Sequence, residues 1–160
     1  SWIKRYVYFE CCLVPLIAVS WLAIKEYAHF SWPNYAFLMT MVIVDVIADY
    51  RINVSAISDA DYSRNNLLTT IKKLTRMKRL RSIDMMIEVP TLVLWLLWSG
   101  IEAWVYMPAD APDFARAAVY GGIVGGVIGA VCGLIFAFRI FLKMQRTNDE
   151  VISQINELNA

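Results

Sequence analysis

The sequence predicts an all-α membrane protein of one domain, residues 1–160, in which a polytopic four-helix bundle spans the bilayer and its helices continue into a cytoplasmic helical stalk. Three observations lead to this prediction. The chain is 59% hydrophobic with a mean hydropathy of +0.50, and the apolar share of soluble domains is ~45–50%. Four apolar segments have lengths suited to a bilayer core, and most cations lie on one side of them.

The four apolar segments cover residues 6–24, 33–50, 89–107 and 117–142. Pro15 lies inside the first segment, and we expect it to bend that helix. Pro33 opens the second segment, where it suits a first helical turn because no N–H bond is lost there. The fourth segment has no charged residue between positions 117 and 138, and at ~1.5 Å per residue this run spans a core of ~30 Å.

Small residues recur at every fourth position of the fourth segment, in two neighbouring rows. The residues that we expect to support close helix packing are Gly121, Gly125, Gly129, Gly133, Gly122 and Gly126. Because residues four apart share one face of a helix, the rows make a nearly flat surface that another helix can approach closely. A contact inside the bundle and a contact with a second copy are equally open at this stage.

The distribution of cations predicts the orientation. Thirteen of the fifteen Lys and Arg residues lie before the first segment, between the second and third segments, or at and beyond the end of the fourth. By the positive-inside rule both termini and the long middle segment are cytoplasmic. We therefore expect an integral membrane protein, of the kind found in a bacterial inner membrane.

The middle segment, residues 51–88, predicts a cytoplasmic helical hairpin. A turn at 58–62 joins its two helices, and Ser63 or Asp61 caps the second helix, which starts near Arg64 and continues into the third span. A C-terminal helix over 143–158 extends the fourth span. Apolar residues at spacings of three and four predict a packed stalk, through Leu67, Ile71, Leu74, Leu80 and Ile155. These stripes pack with one another or with a second copy.

A basic face accompanies the apolar stripe of the hairpin. It comprises Lys72, Lys73, Arg76 and Arg79. Such a face can bind the anionic headgroups of the lipid bilayer at ~1 kcal/mol per cation, or an acidic cytoplasmic protein, or it can simply be solvated. Nucleic acid is not an expected partner because the chain has no recognition motif.

Asp45 is the most informative candidate site residue because it lies inside the second apolar segment. Asp49 is one helical turn further on, on the same face. An ionisable group inside a span is costly and usually faces the bundle or a water-filled cavity. The functional interpretation is an ion or proton site, with Glu10, Glu88 or Arg139 nearby. The other interpretation, which the closeness of Asp49, Tyr50 and Arg51 favours, is an interface carboxylate that reaches headgroup water or pairs with a cation.

Other ionisable residues give weaker indications. Glu10, Glu88 and Glu102 lie close to predicted interfaces, where a solvated role is expected. A metal shared by Asp45 and Asp49 would need a histidine or another convergent carboxylate, which the sequence pattern does not indicate. We therefore expect no metal and no other cofactor.

Catalytic motifs are missing from the sequence. The single histidine, His29, falls in an outer loop, and no Ser/His/Asp set can be assembled. The expected function is thus that of a non-enzymatic membrane scaffold or signalling accessory, which acts through its cytoplasmic helices and through self-association. The second expectation is a small transporter or ion channel that uses Asp45.

The order of the segments also carries a resemblance. A hydrophobic hairpin, a long cytoplasmic helix pair over 49–88 and a second hairpin with a charged tail resemble the layout of small four-span bacterial inner-membrane proteins. Some of those proteins are similar to membrane partners encoded beside sigma factors. The resemblance covers the plan of the whole chain and implies no catalytic residue.

Overall fold

The computed structural model describes residues 2–55 and 67–159, and every regular element within them is a helix. The helices are α1, Trp2–Ala28; α2, Trp32–Tyr50; α3, Leu67–Val105; and α4, Asp113–Asn159. A π-helical turn, Arg51–Ser55, follows α2 directly. The described residues contain no β-strand, so the predicted all-α fold class is confirmed.

The helices pack as neighbours around a closed ring. Each helix contacts the next one along the chain, and α1 also contacts α4. The short connections over 29–31 and 106–112 favour antiparallel packing of α1 with α2 and of α3 with α4. The ring brings the beginning of α1, the end of α2, the middle of α3 and the last third of α4 to one end of the bundle.

The connection between α1 and α2 is closed by local chemistry. His29 adopts a left-handed conformation with φ of 56°, and the N–H of Phe30 donates to the carbonyl of Lys25 at 3.3 Å. This bond satisfies one of the last carbonyls of α1 and stops the helix. Ser31 then takes an extended conformation and Pro33 occupies the first turn of α2, as the sequence predicts.

Helices α3 and α4 are much longer than the other two. They contain 39 and 47 residues, which at ~1.5 Å per residue makes them about 58 and 70 Å long. Helix α3 continues through Pro90 without a break. Because α1 and α2 contain 27 and 19 residues, the first part of α3 and the last part of α4 extend beyond them. We call residues 67–88 and 143–159 the stalk.

The stalk has its own apolar core, built from Leu74, Met77 and Ile155. Partly buried side chains surround it, namely those of Ile52, Leu67, Ile71, Val151 and Ile152. Leu80 is half-buried outside this cluster, and Met77 occupies the central position instead. The expected turn at 58–62 and the caps Ser63 and Asp61 lie outside the described residues.

Removal of the Leu74 side chain tests the stalk core. Leu74 is 3% exposed, so Leu74→Ala is expected to lower the free energy of unfolding by ~2–5 kcal/mol through lost burial and a residual cavity. The matched control is Leu68→Ala on the same helix, where the side chain is 73% exposed and the expected change is within ~0.5 kcal/mol. Thermal unfolding in detergent measures both. Equal effects would contradict a packed stalk.

Two helices are long and apolar enough to cross a membrane. They are α1, over Trp2–Glu26, and α4, over Asp113–Leu158, and the most apolar window of α4 has no residue buried within the chain. An apolar helix left uncovered by its own chain favours lipid contact. The corresponding segments of α2 and α3 are less apolar, because the former holds Asp45 and Asp49 and the latter Glu102.

Candidate functional site: a carboxylate cluster at one end of the bundle

Three helices bring five carboxyl groups together at the stalk end of the bundle. We call this set the carboxylate cluster: Glu10 of α1, Asp45 and Asp49 of α2, and Asp84 and Glu88 of α3. All five side chains are half-buried rather than exposed. Glu10 and Glu88, expected to be solvated, instead face the other helices.

The local reason for this convergence is helical spacing. Asp45 and Asp49 are four residues apart, as are Asp84 and Glu88, so each pair lies on one face of its helix. The contact between α2 and α3 turns these two faces toward each other, and α1 places Glu10 beside them.

The carboxyl groups meet in pairs at hydrogen-bonding distance. Asp45 pairs with Glu88, and Glu10 pairs with Asp49, while the Tyr6 hydroxyl also contacts Glu10. An ionised carboxylate accepts hydrogen bonds but donates none, so a direct hydrogen bond within either pair requires a proton on one of its two groups. The two pairs are therefore places where a proton can be held.

A subset of the cluster also has the geometry of a cation site. Asp45, Asp84 and Glu88 each offer an oxygen, and these oxygens lie within 4.8 Å of one another. Calcium ligands lie ~2.3–2.6 Å from the metal, so three oxygens at this separation can surround one hard divalent cation. Two of these three carboxylates, those of Asp84 and Glu88, come from α3.

Arg81 is the cation beside the cluster. It is 4% exposed; its Nε donates to the Asn53 side-chain oxygen at 3.0 Å and its Nη1 donates to that of Gln145 at 3.0 Å. Burial lowers the pKa of Arg81 to about 10, and the nearby Asp49 opposes this shift, so the guanidinium stays protonated at neutral pH. Arg139, which the sequence had offered for this role, is exposed.

These bonds connect the cluster to the stalk. Asn53 belongs to the π-helical turn after α2, and Gln145 belongs to α4. Gln145 also donates to the Lys78 carbonyl at 3.0 Å and to the Ser82 hydroxyl at 3.1 Å. The side chain of Arg81 thus links α2, α3 and α4 where the bundle becomes the stalk.

One oxygen of the cluster remains without a partner. Oε2 of Glu10 is buried and has no hydrogen bond among the residues that the structure describes. A buried acceptor without a donor is costly, at ~1–3 kcal/mol for a neutral group and more for a charged one. Protonation of Glu10 or arrival of a cation would relieve this cost.

Raising the pH is expected to destabilise the protein through Glu88, which precedes the predicted third span. Burial, then the charges of Asp49 and Asp84, raise the pKa of Glu88 to about 7, although its bond with Asp45 lowers it. The folded state therefore binds protons more tightly than the unfolded state, whose carboxyl pKa is ~4.3. The contribution of Glu88 to the free energy of unfolding is fully present below a pH of ~4.3 and is lost as the pH rises toward 7.

Unfolding midpoints measured between pH 4 and pH 8 test whether stability falls as the pH rises. The wild-type midpoint is expected to fall across that range, and Glu88→Gln is expected to flatten the profile. Asp84 contributes in the same direction, because burial raises its pKa as well. A midpoint that rises with pH would contradict the buried cluster.

A second polar group lies at the opposite end of the bundle. Asn34 is fully buried, and its Oδ1 accepts hydrogen bonds from the indole N–H groups of Trp21 at 3.0 Å and Trp95 at 3.1 Å. Its Nδ2 donates to the Ser99 hydroxyl at 3.0 Å. This residue therefore ties α1, α2 and α3 together.

Glu102 is also part of this end and is 5% exposed, in contrast to the solvated role expected for it. Its carboxylate accepts from the backbone N–H of Ser31 at 3.1 Å, from the Ser31 hydroxyl, and from the Trp98 indole at 2.9 Å. Two donors from Ser31, in the connection before α2, and one from Trp98 of α3 explain how a carboxylate is tolerated there. Its bonds are satisfied, so this end is structural.

Replacement of Asn34 tests that structural role. Asn34→Leu leaves two buried indole N–H groups without their acceptor, and each such loss costs ~1–3 kcal/mol. Ser99→Ala, the control, removes one neutral partner of Asn34 and should cost about 1 kcal/mol. Chemical unfolding in detergent, followed by tryptophan fluorescence, gives both values. A smaller effect for Asn34→Leu than for Ser99→Ala would contradict this reading.

The predicted close contacts of the glycines are not made among the described residues. No heavy atom of the described residues, apart from the immediate helix backbone, lies within 4 Å of a Cβ built on any glycine from Gly121 to Gly133. Gly126, Gly129 and Gly133 instead line a groove between α3 and α4. A close contact with a second copy stays a prediction.

The basic residues lie along the stalk. Lys72, Arg76 and Arg79 are exposed, and Lys73 is half-buried. Lys78, also on this helix, forms an ion pair with Asp149 across the stalk. Lys72 lies 17 residues before Val89, where the third predicted span begins, which is ~25 Å along the helix. That distance exceeds the ~8–10 Å range of screened charge, so it favours a soluble partner over lipid headgroups for this residue.

Sequence reasoning missed Asp84 and Arg81 as members of the site. The signal for Asp84 was present, because its four-residue spacing from Glu88 repeats that of Asp45 and Asp49. Arg81 gave no such signal, since it stands among several cations of the same helix.

No protein-family model matches the chain, and comparisons with curated proteins and with solved structures likewise found no match.

Proposed function

We propose that this chain is a four-span membrane protein that takes up and releases protons at the carboxylate cluster, as a small proton-coupled transporter. The observation that carries the proposal is the convergence of five carboxyl groups from three helices in the interior of the bundle. Ionisable groups that face a bundle interior at membrane depth are typical of ion and proton pathways.

The net charge of the carboxylate cluster supports a role in proton binding over a purely structural role. Five ionised carboxylates beside one arginine would carry a net charge of −4 (five negative, one positive), which a partly buried site does not sustain. Protons shared within the Asp45–Glu88 and Glu10–Asp49 pairs reduce that charge. The site can therefore exist in states that differ by one or two protons, as coupling requires.

The packing of the bundle supports the proposed four-span arrangement. The uncovered apolar surfaces of α1 and α4 support membrane insertion, and α2 and α3 pack between them with their carboxylates turned inward. Twelve of the thirteen cations on the proposed cytoplasmic side fall within the described residues. With this topology, both termini and the stalk are cytoplasmic.

Proton flux in liposomes tests the proposal. The purified protein is reconstituted with a pH-sensitive dye inside, and a potassium gradient with valinomycin drives proton entry. We expect faster acidification than in protein-free liposomes. Equal rates would overturn the transport proposal. Calcium or magnesium added outside serves as a competitor for Asp45, Asp84 and Glu88.

A second candidate function is that of a membrane scaffold or signalling accessory. The observation in its favour is the packed stalk, which projects beyond the short helices and presents Arg76 and Arg79 on an exposed face. A cytoplasmic protein partner or a second copy would bind there. Sedimentation of the protein in detergent, with Arg76→Glu and Arg79→Glu as variants, tests the second-copy version.

A further inference from the structure

We infer that the groove between α3 and α4 binds a lipophilic organic cation, which neutralises its charge on Glu88. The inference rests on the proposed function, because it names the substrate class that would exchange with protons at the cluster. The groove has a volume of about 330 Å³, at the lower end of the ~300–1,000 Å³ typical of small-molecule sites.

The walls of the groove explain the lipophilic part of the ligand. Leu92 and Leu96 of α3 face Leu134 of α4, and Gly126 and Gly129 form a flat floor. Since a Cβ on those glycines would meet no atom within 4 Å, the floor has room for a planar ring. Neighbouring α4 side chains outside the groove, such as Val127, Ile128 and Val131, are exposed, so a membrane-dissolved molecule can enter sideways.

Glu88 explains the positive charge. It lines the groove and is also within hydrogen-bonding distance of Asp45 on the opposite side. The groove-lining residues given by α4 are uncharged, so the ligand meets a negative field with no competing cation from that wall. A cation in the groove thus has a carboxylate partner, whereas a neutral molecule gains apolar contact without it.

Aromatic rings extend the same surface toward the stalk. Phe138 and Phe141 line an adjoining groove that shares Met85, Val89 and Leu134 with the first. Their ring centroids are 6.2 Å apart and nearly parallel, with an interplanar angle of 25°. Aromatic faces attract organic cations, which adds a second feature that favours positive charge.

The charged groups around Glu88 keep the field at the groove negative. They are Glu10 of α1, Asp45 and Asp49 of α2, and Asp84 and Arg81 of α3. Because Arg81 is the one cation in this set, a cation that enters the groove meets an excess of carboxyl groups.

Ethidium binding to the purified full chain in detergent tests the inference, with fluorescence anisotropy as the readout. We expect saturable binding that tetraphenylphosphonium displaces and that uncharged triphenylphosphine oxide does not. Glu88→Gln, which keeps the shape of the side chain, should weaken binding by at least ~10-fold, a loss of ~1.4 kcal/mol. Gly129→Leu should weaken it similarly by filling the groove.

Gly125→Leu is the matched control, because it adds the same side chain to the same helix outside the groove. Helical content and a single elution peak establish that each variant is folded. Should Gly129→Leu fail this criterion, Gly126→Ala and Glu88→Gln still decide the outcome.

Several results would overturn the inference. Equal displacement by the uncharged compound would make the groove a lipid-filled surface. If the protein forms a dimer without ethidium and Gly129→Leu dissociates that dimer, the groove is an interface between two copies of the chain. If the wild-type protein shows proton flux but does not bind ethidium, the substrate class is wrong and the proposed function stands. If it binds ethidium but shows no proton flux, the coupling of cation binding to proton movement is wrong instead.

Discussion

Asp45→Asn is expected to reduce proton flux to the rate of protein-free liposomes. Asn keeps the size of the side chain but cannot take up and release a proton, so the Asp45–Glu88 pair loses the proton it shares. Asp45 is also central in the cluster, because it pairs with Glu88 and lies near Asp49 and Asp84.

The matched control for Asp45→Asn is Asp110→Asn. Asp110 is an exposed carboxylate in the loop between α3 and α4, at the opposite end of the bundle. Its replacement makes the same chemical change without touching the cluster, and flux should be unaltered. Wild-type flux in Asp45→Asn, with Asp110→Asn also unchanged, would exclude the cluster as the proton pathway.

Arg81→Met is expected to cause the largest loss of stability among the charged residues of the stalk. The side chain is 4% exposed and bonds Asn53 and Gln145, beside the carboxylate of Asp49. Removal of one member of a buried charged network typically costs ~3–5 kcal/mol, because the remaining polar groups stay buried without a partner. Met restores much of the lost volume, so the effect reports mainly on charge and hydrogen bonds.

Arg79→Met is the control for this measurement, since Arg79 is exposed on the same helix two residues earlier. Its expected change in unfolding free energy is within ~0.5 kcal/mol. Unfolding in mixed detergent, followed by circular dichroism, compares the two. If Arg81→Met cost no more than Arg79→Met, the guanidinium would not link the helices. Low pH should partly rescue Arg81→Met, because protonation removes negative charge from the cluster.

The sequence carried enough information for the helices themselves. The apolar run over 117–138 and the three-and-four spacing of Leu67, Ile71 and Leu74 are local patterns, and the structure has helices at both places. Helix formation depends on bonds between residues four apart, so a window of ten to twenty residues contains most of the relevant physics.

The site was predictable in part. Asp45 stood out because an acidic residue inside an apolar segment is costly, and Glu10 and Glu88 were named as neighbours. The pairing of Glu10 with Asp49 and of Glu88 with Asp45 could not be derived, because 39 residues (49 − 10) and 43 residues (88 − 45) separate the partners and helical spacing carries no information over those distances. The roles of Arg81 and Glu102 were missed for the same reason.

The glycine rows show what a local sequence pattern leaves undetermined. Their periodicity correctly indicates a flat helix face, but it does not say what covers that face. In the structure Gly129 opens onto a groove whose other wall includes Glu88, and the described chain makes no close contact there. A pattern of small residues defines available space, whereas the occupant depends on what packs nearby.

By itself, the sequence determined the helical fold class, the apolar character of the chain and the asymmetry of its cations, since each of these depends on composition or on spacing within one helix. The tertiary structure alone decided that Asp45 meets Glu88, that Arg81 faces the cluster and that Glu102 is buried with three donors. The physical reason is that burial and charge pairing belong to contacts between helices, and those contacts exist only once the faces have packed.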